Sequence, residues 1–292
     1  MNRAALADFW DEFRESRSGL LGAALTLACI LAALGAPLLS PQDPYDLSQL
    51  ALQNSHTPPT LFQRWAYELF VLGSDGQGRC MLSAILYGMR ISLLVGLAST
   101  LLAATVGTFL GLVAGYTGGR TDALLMRLAD IQLSFPAILI AMVLMTVWGE
   151  GLFKIILAIG IVNWVFYART ARGSTLAERE KDYVDAARAT GLAAFRIMFG
   201  EILPNVVAPL IVIGTVRIAN AILLEATLSF LGLGVPITEP SLGALVNQGY
   251  QVLFSGFWWV SVLPGVGLML IVLGINLLGD RLRDVLNPRL KR

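Results

Sequence analysis

Charge-free stretches alternate with short polar connections along this chain, and the stretches have the length of membrane crossings. Residues 18–42 contain no Asp, Glu, Lys or Arg, and neither do residues 91–119. A transmembrane helix needs about 20 apolar residues, so each stretch predicts one span. A third span is expected to begin near Ala123. It contains Met126, Arg127, Asp130 and Ser134-Phe135-Pro136, and Pro136 should kink it. A fourth is expected from Leu152 to Ala171, with Lys154 and Arg169 snorkelling outward at its ends. A fifth covers Val206 to Gly232 and a sixth Phe257 to Gly279. The predicted fold is an all-α, polytopic bundle of six transmembrane helices.

The connections carry structure of their own. Leu6, Phe9, Trp10 and Phe13 form an apolar stripe among Asp8, Asp11, Glu12, Arg14 and Glu15, which predicts an interfacial amphipathic helix within a tail at 1–18. That tail holds four acids against three arginines, a poor n-region for a cleaved signal peptide, so residues 19–39 are read as the first retained span. Residues 40–85 are polar and punctuated by Pro41, Pro44, Pro58 and Pro59, which predicts an external loop. A five-span core follows at 86–280, then a short tail at 281–292.

Within the core, the polar insertion at 174–204 stands apart. Tyr183, Ala186, Ala187 and Thr190 fall at helical spacing and give one short helix a small, smooth face. Gly191 is placed to end that helix with a positive φ. Phe195, Met198, Phe199 and Ile202 repeat the spacing and predict a second short helix with an apolar stripe. Pro204 then marks the turn into the fifth span. The expected product is a helical hairpin on one membrane face, with nothing catalytic in it.

Composition narrows the class. With 56% hydrophobic and 14% charged residues the chain is too apolar for a soluble domain, and a net charge of +1 provides no basic surface for nucleic acid. His56 is the only histidine, which excludes His-pair zinc motifs; it lies in a Pro-rich loop and is read as a surface residue. Cys29 lies in an apolar run and Cys80 in a polar loop, so no disulfide is expected between them. Lys154, Lys181 and Lys291 follow Phe, Glu and Leu, so there is no G-K-[ST] phosphate loop. The chain is therefore read as not an enzyme and as holding no cofactor or metal. If ATP drives it, another chain hydrolyses the ATP.

Basic residues set the orientation. With the N-terminus inside, the inner segments hold sixteen Lys and Arg residues, among them Arg169 and Arg172 near the end of the fourth span and Arg179, Lys181, Arg188 and Arg196 of the polar insertion. The outer segments hold only Arg64, Arg79, Arg90 and Lys154. By the positive-inside rule both termini and the hairpin face the cytoplasm. Inside the fifth span, Arg217, Asn220 and Glu225 are costly in lipid. They are read either as a polar translocation path or as a structural network, with Arg217 and Glu225 about 80° apart around the helix at 100° per residue. Asp130 and Arg169 are a candidate ion pair.

Asp185-Ala186-Ala187, Gly191 and Leu203-Pro204 resemble the E-A-A-x-x-x-G … I-x-L-P loop of ABC importer permeases, with Asp185 in place of Glu and Glu201 in place of Ile. Leu72-Gly73-Ser74-Asp75-Gly76-Gln77-Gly78-Arg79 is similar to a stretch of one branch of that family, with Cys80 replacing its final Asp. Glu225-Ala226 with Leu228 to Gly234, and Asn276 to Asp284 with Asn287-Pro288-Arg289, resemble segments of dipeptide, oligopeptide and nickel permeases. Leu242 and Arg281 depart from the usual Trp and Gly there. The resemblance implies the second, "C-type" permease subunit of such an importer, with a type I permease fold in a bacterial inner membrane. It implies as partners a second homologous permease, two ABC ATPase subunits that use the ATP, an extracytoplasmic solute-binding protein and membrane lipid. The loop residues Tyr183, Asp185, Ala186, Ala187, Gly191, Phe195, Met198, Phe199, Leu203 and Pro204 would then dock on an ATPase. The cargo stays open between dipeptides, oligopeptides, a metal chelate and a glutathione-like solute. A secondary transporter or channel using Arg217 and Glu225 is the rival class, though it has no need of a docking hairpin. A membrane-embedded enzyme lacks a catalytic constellation here.

Overall fold

The computed structural model describes residues 11–46, 50, 52–59, 70–236 and 238–286. In order the helices are α1 (Arg17–Leu34), α2 (Ala36–Leu39), α3 (Met81–Thr117), α4 (Gly119–Leu133), α5 (Ala137–Trp148), α6 (Leu152–Glu178), α7 (Asp182–Ala189), α8 (Ala194–Phe230), α9 (Leu242–Val252) and α10 (Trp259–Leu286). Among the described residues the one pairing of β type is a bridge between Ser74 and Cys80. Helices α1, α3, α6, α8 and α10 are each long and apolar enough to span a membrane, and α4 with α5 makes a sixth if the bent pair is one span. Of the expected interfacial helix, Leu6, Phe9 and Trp10 lie outside the described residues, and Phe13 is buried.

Several helix boundaries differ from the sequence reading. Helix α3 begins at Met81, well before Arg90 and inside the stretch assigned to the external loop. The absence of charge locates the lipid-embedded part of a helix, not its first turn, and Arg90 is simply carried on the exposed side of α3. The third span is broken rather than kinked: α4 and α5 meet at 88°. Pro136 has no N–H for the helical ladder, and its ring disfavours helical geometry at Phe135, so α4 stops and α5 starts afresh. Helix α6 runs on to Glu178, seven residues past the expected end at Ala171 and five into the polar insertion at 174.

Close backbone approach holds the bundle together. Gly107, Gly111 and Gly115 recur every fourth residue and line one face of α3 against α6. A Cβ on Gly107 would collide with the Trp164 carbonyl oxygen, and one on Gly111 with that of Ala168. This small-xxx-small stripe lets two helices pack tightly in lipid, where apolar surface alone drives no association. On α4, Gln132 donates from Nε2 to the carbonyls of Ile161 and Val162, each at 2.9 Å, and accepts from Trp164 Nε1 at 2.8 Å. Arg172 donates to Asp122 and Arg169 to Asp130, so the anticipated 130–169 pair forms beside a second brace.

The polar segment before α3 also has internal order. Asp75 and Arg79 form a fully buried ion pair at 2.6 Å, and Asp75 Oδ1 also accepts from the Gln77 and Arg79 amides. Cys80 follows as the N-cap of α3; it and Cys29 are both buried, and neither is in a disulfide. His56 is not the plain surface residue expected. Its ring stacks on Phe257 at 4.5 Å, and the residue takes φ 54°.

Candidate functional site

The hairpin is built from α7, a glycine turn and the first turns of α8. Asp182 and Asp185 lie in the first turn of α7 and Arg188 in its last, which matches the charge at each helix end. Arg188 bonds Asp185 at 2.9 Å and lies over the Tyr116 ring. Glu178, the last residue of α6, accepts from Tyr183 Oη at 2.8 Å and from Lys181 Nζ at 2.7 Å. Burial first, and then this bond, raise the Tyr183 phenol above its ordinary pKa. The start of α7 is thereby fastened to α6.

Gly191 adopts φ +77°, and its amide donates to the Arg188 carbonyl at 3.0 Å. Leu192 donates to Ala187 at 3.3 Å. These two bonds form a Schellman motif, with Thr190 at the C-cap and Gly191 in the left-handed position that disfavours a Cβ. Leu192 packs back into the cluster that buries Val184, Ala187, Ile197 and Ile202 against Leu112 and Ala171.

The second helix of the hairpin is not a separate piece. After Ala194–Arg196 the chain widens into a π-helical stretch, Ile197–Ile202, and continues without a turn through Pro204 into the fifth span. Pro204 therefore does not mark a turn. A π-bulge frees carbonyls from the regular ladder, which accommodates a residue that brings no N–H and a bulky ring. The predicted stripes also divide. Val184 and Ala187 point into the bundle, while Asp185, Ala186 and Thr190 are exposed. Met198 and Ile202 are buried, Phe199 and Leu203 half-buried, and Pro204 exposed. Phe195 remains 65% exposed, against Phe199 at 4.4 Å between ring centroids. The hairpin thus presents small residues, Asp185 and one aromatic ring on its free face.

Arg217, Asn220 and Glu225 are not brought together. Glu225 is fully buried and accepts from Ser92 Oγ at 2.8 Å and Ser229 Oγ at 2.7 Å, with Ser241, the N-cap of α9, as a third hydroxyl partner. Arg217 instead lies on the Phe166 ring, with Cζ 3.3 Å from the centroid, and Asn220 is exposed. An angular offset around one helix does not decide which neighbouring helix each residue meets. Helix α9 was not anticipated, although Ser241 before Leu242 is an N-cap signal, and Ser241 Oγ does accept from Ala244 N at 3.1 Å.

Between α3, α6 and α8 a largely apolar groove of about 480 Å³ opens directly above the hairpin, with Phe199 and Leu203 in its wall.

Residues 107–292 match the family model described as binding-protein-dependent transport system inner membrane component, and residues 5–59 match the N-terminal transmembrane domain of oligopeptide transport permease C. The chain is 40% identical over 286 residues to the di/tripeptide transport system permease protein DppC of Pseudomonas aeruginosa, covering 98% of this chain and 93% of that protein. It is 38% identical to the dipeptide transport system permease protein DppC of Haemophilus influenzae, covering 99% and 97%. It is 35% identical to the oligopeptide transport system permease protein OppC of Bacillus subtilis, covering 96% and 88%. A solved structure of the MetNI methionine ABC transporter in an inward-facing conformation shares the fold, with a TM-score of 0.56 at 22% identity over 70% of this chain and 97% of that chain.

Proposed function

The chain belongs to the family of binding-protein-dependent transport system inner membrane components, and on that premise we propose that it forms half of the translocation pore of an ATP-driven importer of dipeptides or oligopeptides. Near-full-length similarity to permeases named for di-, tri- and oligopeptide transport supports the cargo. A second, homologous permease completes the pore, two ATPase subunits bind beneath it, and a solute-binding protein delivers peptide from outside. Both termini and the hairpin lie on the cytoplasmic side, where the basic residues concentrate.

The exposed free face of the hairpin is the observation that carries the coupling. Its inner face is packed into the bundle, Glu178 ties α7 to α6, and the second limb is one continuous helix with the fifth span. A displacement of the hairpin by the ATPases therefore reaches α3, α6 and α8 as motion of packed helices rather than of a loose loop. Nucleotide binding then biases two arrangements of the spans, inward-facing and outward-facing.

The test is reconstitution of the four kinds of subunit in proteoliposomes, with labelled di- and oligopeptide supplied together with the binding protein. Uptake should require ATP and both permeases, and should stop when the ATPases are omitted. Peptide uptake that persists without them would favour a secondary transporter and overturn the proposal.

A further inference from the structure

A second groove, of about 490 Å³, lies between α1, α3, α8 and α10. Ile30 and Leu34 of α1, Leu94 of α3, Ile218 of α8 and Ile275 of α10 give it an apolar wall. Among the described residues its one charged lining residue is Arg90. The groove runs beside a tight contact. A Cβ on Gly22 would collide with the Leu278 amide nitrogen, and one on Gly274 would press on Thr26, so α1 lies directly on α10.

The surroundings of the groove are lipid-facing. Leu27, Leu31 and Leu34 of α1 and Leu94 of α3 are all exposed. Water is absent from the hydrocarbon region, so the groove there holds either hydrocarbon or nothing. An empty groove forfeits dispersion contacts along its whole wall, which favours filling it with an acyl chain.

Arg90 sits where such a chain would end. It directly precedes the charge-free stretch 91–119, and two residues further Ser92 donates to Glu225, near the end of α8 remote from the hairpin. Arg90 therefore stands at the membrane surface opposite the hairpin. It is exposed and, among the described residues, forms no ion pair. Tyr45 is close enough for Arg90 to act on its phenol electrostatically, as do Asp43 and Glu239, and it packs edge-on against Tyr87 with ring centroids 5.3 Å apart. Tyrosines concentrate at this boundary between hydrocarbon and headgroups.

We propose that the groove is a phospholipid site: the Arg90 guanidinium binds the phosphate, and one acyl chain fills the space between α1 and the rest of the bundle. A guanidinium presents paired N–H donors that match two phosphate oxygens, the bidentate geometry in which arginine binds phosphate best. Below it, the apolar wall completes its packing with the chain. The lipid thus joins α1 to α3, α8 and α10. The site depends on the membrane setting alone and not on the cargo.

The test is native mass spectrometry of the complete transport complex, taken from vesicles of phosphatidylglycerol and phosphatidylethanolamine and washed in detergent. The wild type should retain one phospholipid more per copy of this chain than the complex carrying Ile30→Trp, which fills the groove and leaves the charge intact. Arg90→Gln should weaken retention of that lipid roughly tenfold, the loss of a hydrogen bond to a charged group, and Arg90→Lys should recover part of it. Leu21→Trp, exposed on α1 and outside the groove, should retain the lipid as the wild type does. Equal retention in wild type, Arg90→Gln and Ile30→Trp would overturn the proposal. Loss in Ile30→Trp with full retention in Arg90→Gln would refute the phosphate contact. A thiol at Ile30→Cys that cross-links to the second permease in the membrane would assign the groove to that subunit, and would overturn the proposal as well.

Discussion

Substitution of Gly191 tests the proposed coupling role of the hairpin at its turn. The residue holds φ +77°, and a Cβ built there meets nothing within 4 Å. Any cost of substitution therefore comes from the backbone and not from a clash. A residue with a Cβ loses roughly 1–2 kcal/mol in the left-handed region, with asparagine at the low end and a β-branched residue at or above the high end. The two bonds that depend on the turn, Gly191 to Arg188 and Leu192 to Ala187, would weaken together. A cost of about 2 kcal/mol lowers the ratio of formed to open hairpin by a factor of roughly 30. Gly191→Val should thus sharply reduce peptide uptake and stimulation of ATP hydrolysis by loaded binding protein, while membrane insertion and permease pairing persist. Gly191→Ala should lie between Val and wild type, with Gly191→Asn closer to wild type. Amide hydrogen exchange across α7 should rise in the same order. Ala194→Ser, on the exposed side beyond the turn, should change none of these. Wild-type uptake and stimulation in Gly191→Val would refute the hairpin as coupling element. An Asn variant worse than Val would refute the backbone argument itself.

Breaking the buried Asp75–Arg79 pair with Arg79→Met leaves a carboxylate without its guanidinium and should destabilise the loop before α3 by about 3 kcal/mol, read as faster proteolysis near residue 75 in detergent. Gly111→Val forces side-chain atoms against the Ala168 carbonyl and should lower the melting temperature of the purified protein, at a cost of about 1–3 kcal/mol; an unchanged melting curve would contradict the close α3–α6 approach. Thiols introduced at Thr238 should react with an impermeant reagent from outside, and at Ser174 only from inside. The buried native cysteines should add little background, and labelling of Ser174 from outside would invert the topology.

Most of what could be read from the chain was local. Charge-free runs of membrane length predict helices wherever they occur, because lipid leaves no water to satisfy an open backbone. The turn at Gly191 follows from one flexible residue between two periodic segments, and the structure places that glycine at φ +77°. The same kind of reasoning fails where a residue's neighbour comes from far along the chain. Helical spacing put Arg217 and Glu225 on loosely one side of the fifth span, yet Glu225 meets Ser92 of α3 and Arg217 meets Phe166 of α6. The G-x-x-x-G-x-x-x-G run from Gly107 to Gly115 is plain to see, but that it faces the Trp164 and Ala168 carbonyls depends on how two helices cross. Pro136 promised a bend; an 88° break needed α4 and α5 to find separate support along α6. Composition and periodicity thus determined the class of fold, the membrane setting and the place of the hairpin, since each depends on a residue and its near neighbours in the chain. Tertiary structure alone decided which hydroxyls reached Glu225, which charges were enclosed and where the grooves opened, because those depend on contacts between helices that the sequence holds far apart.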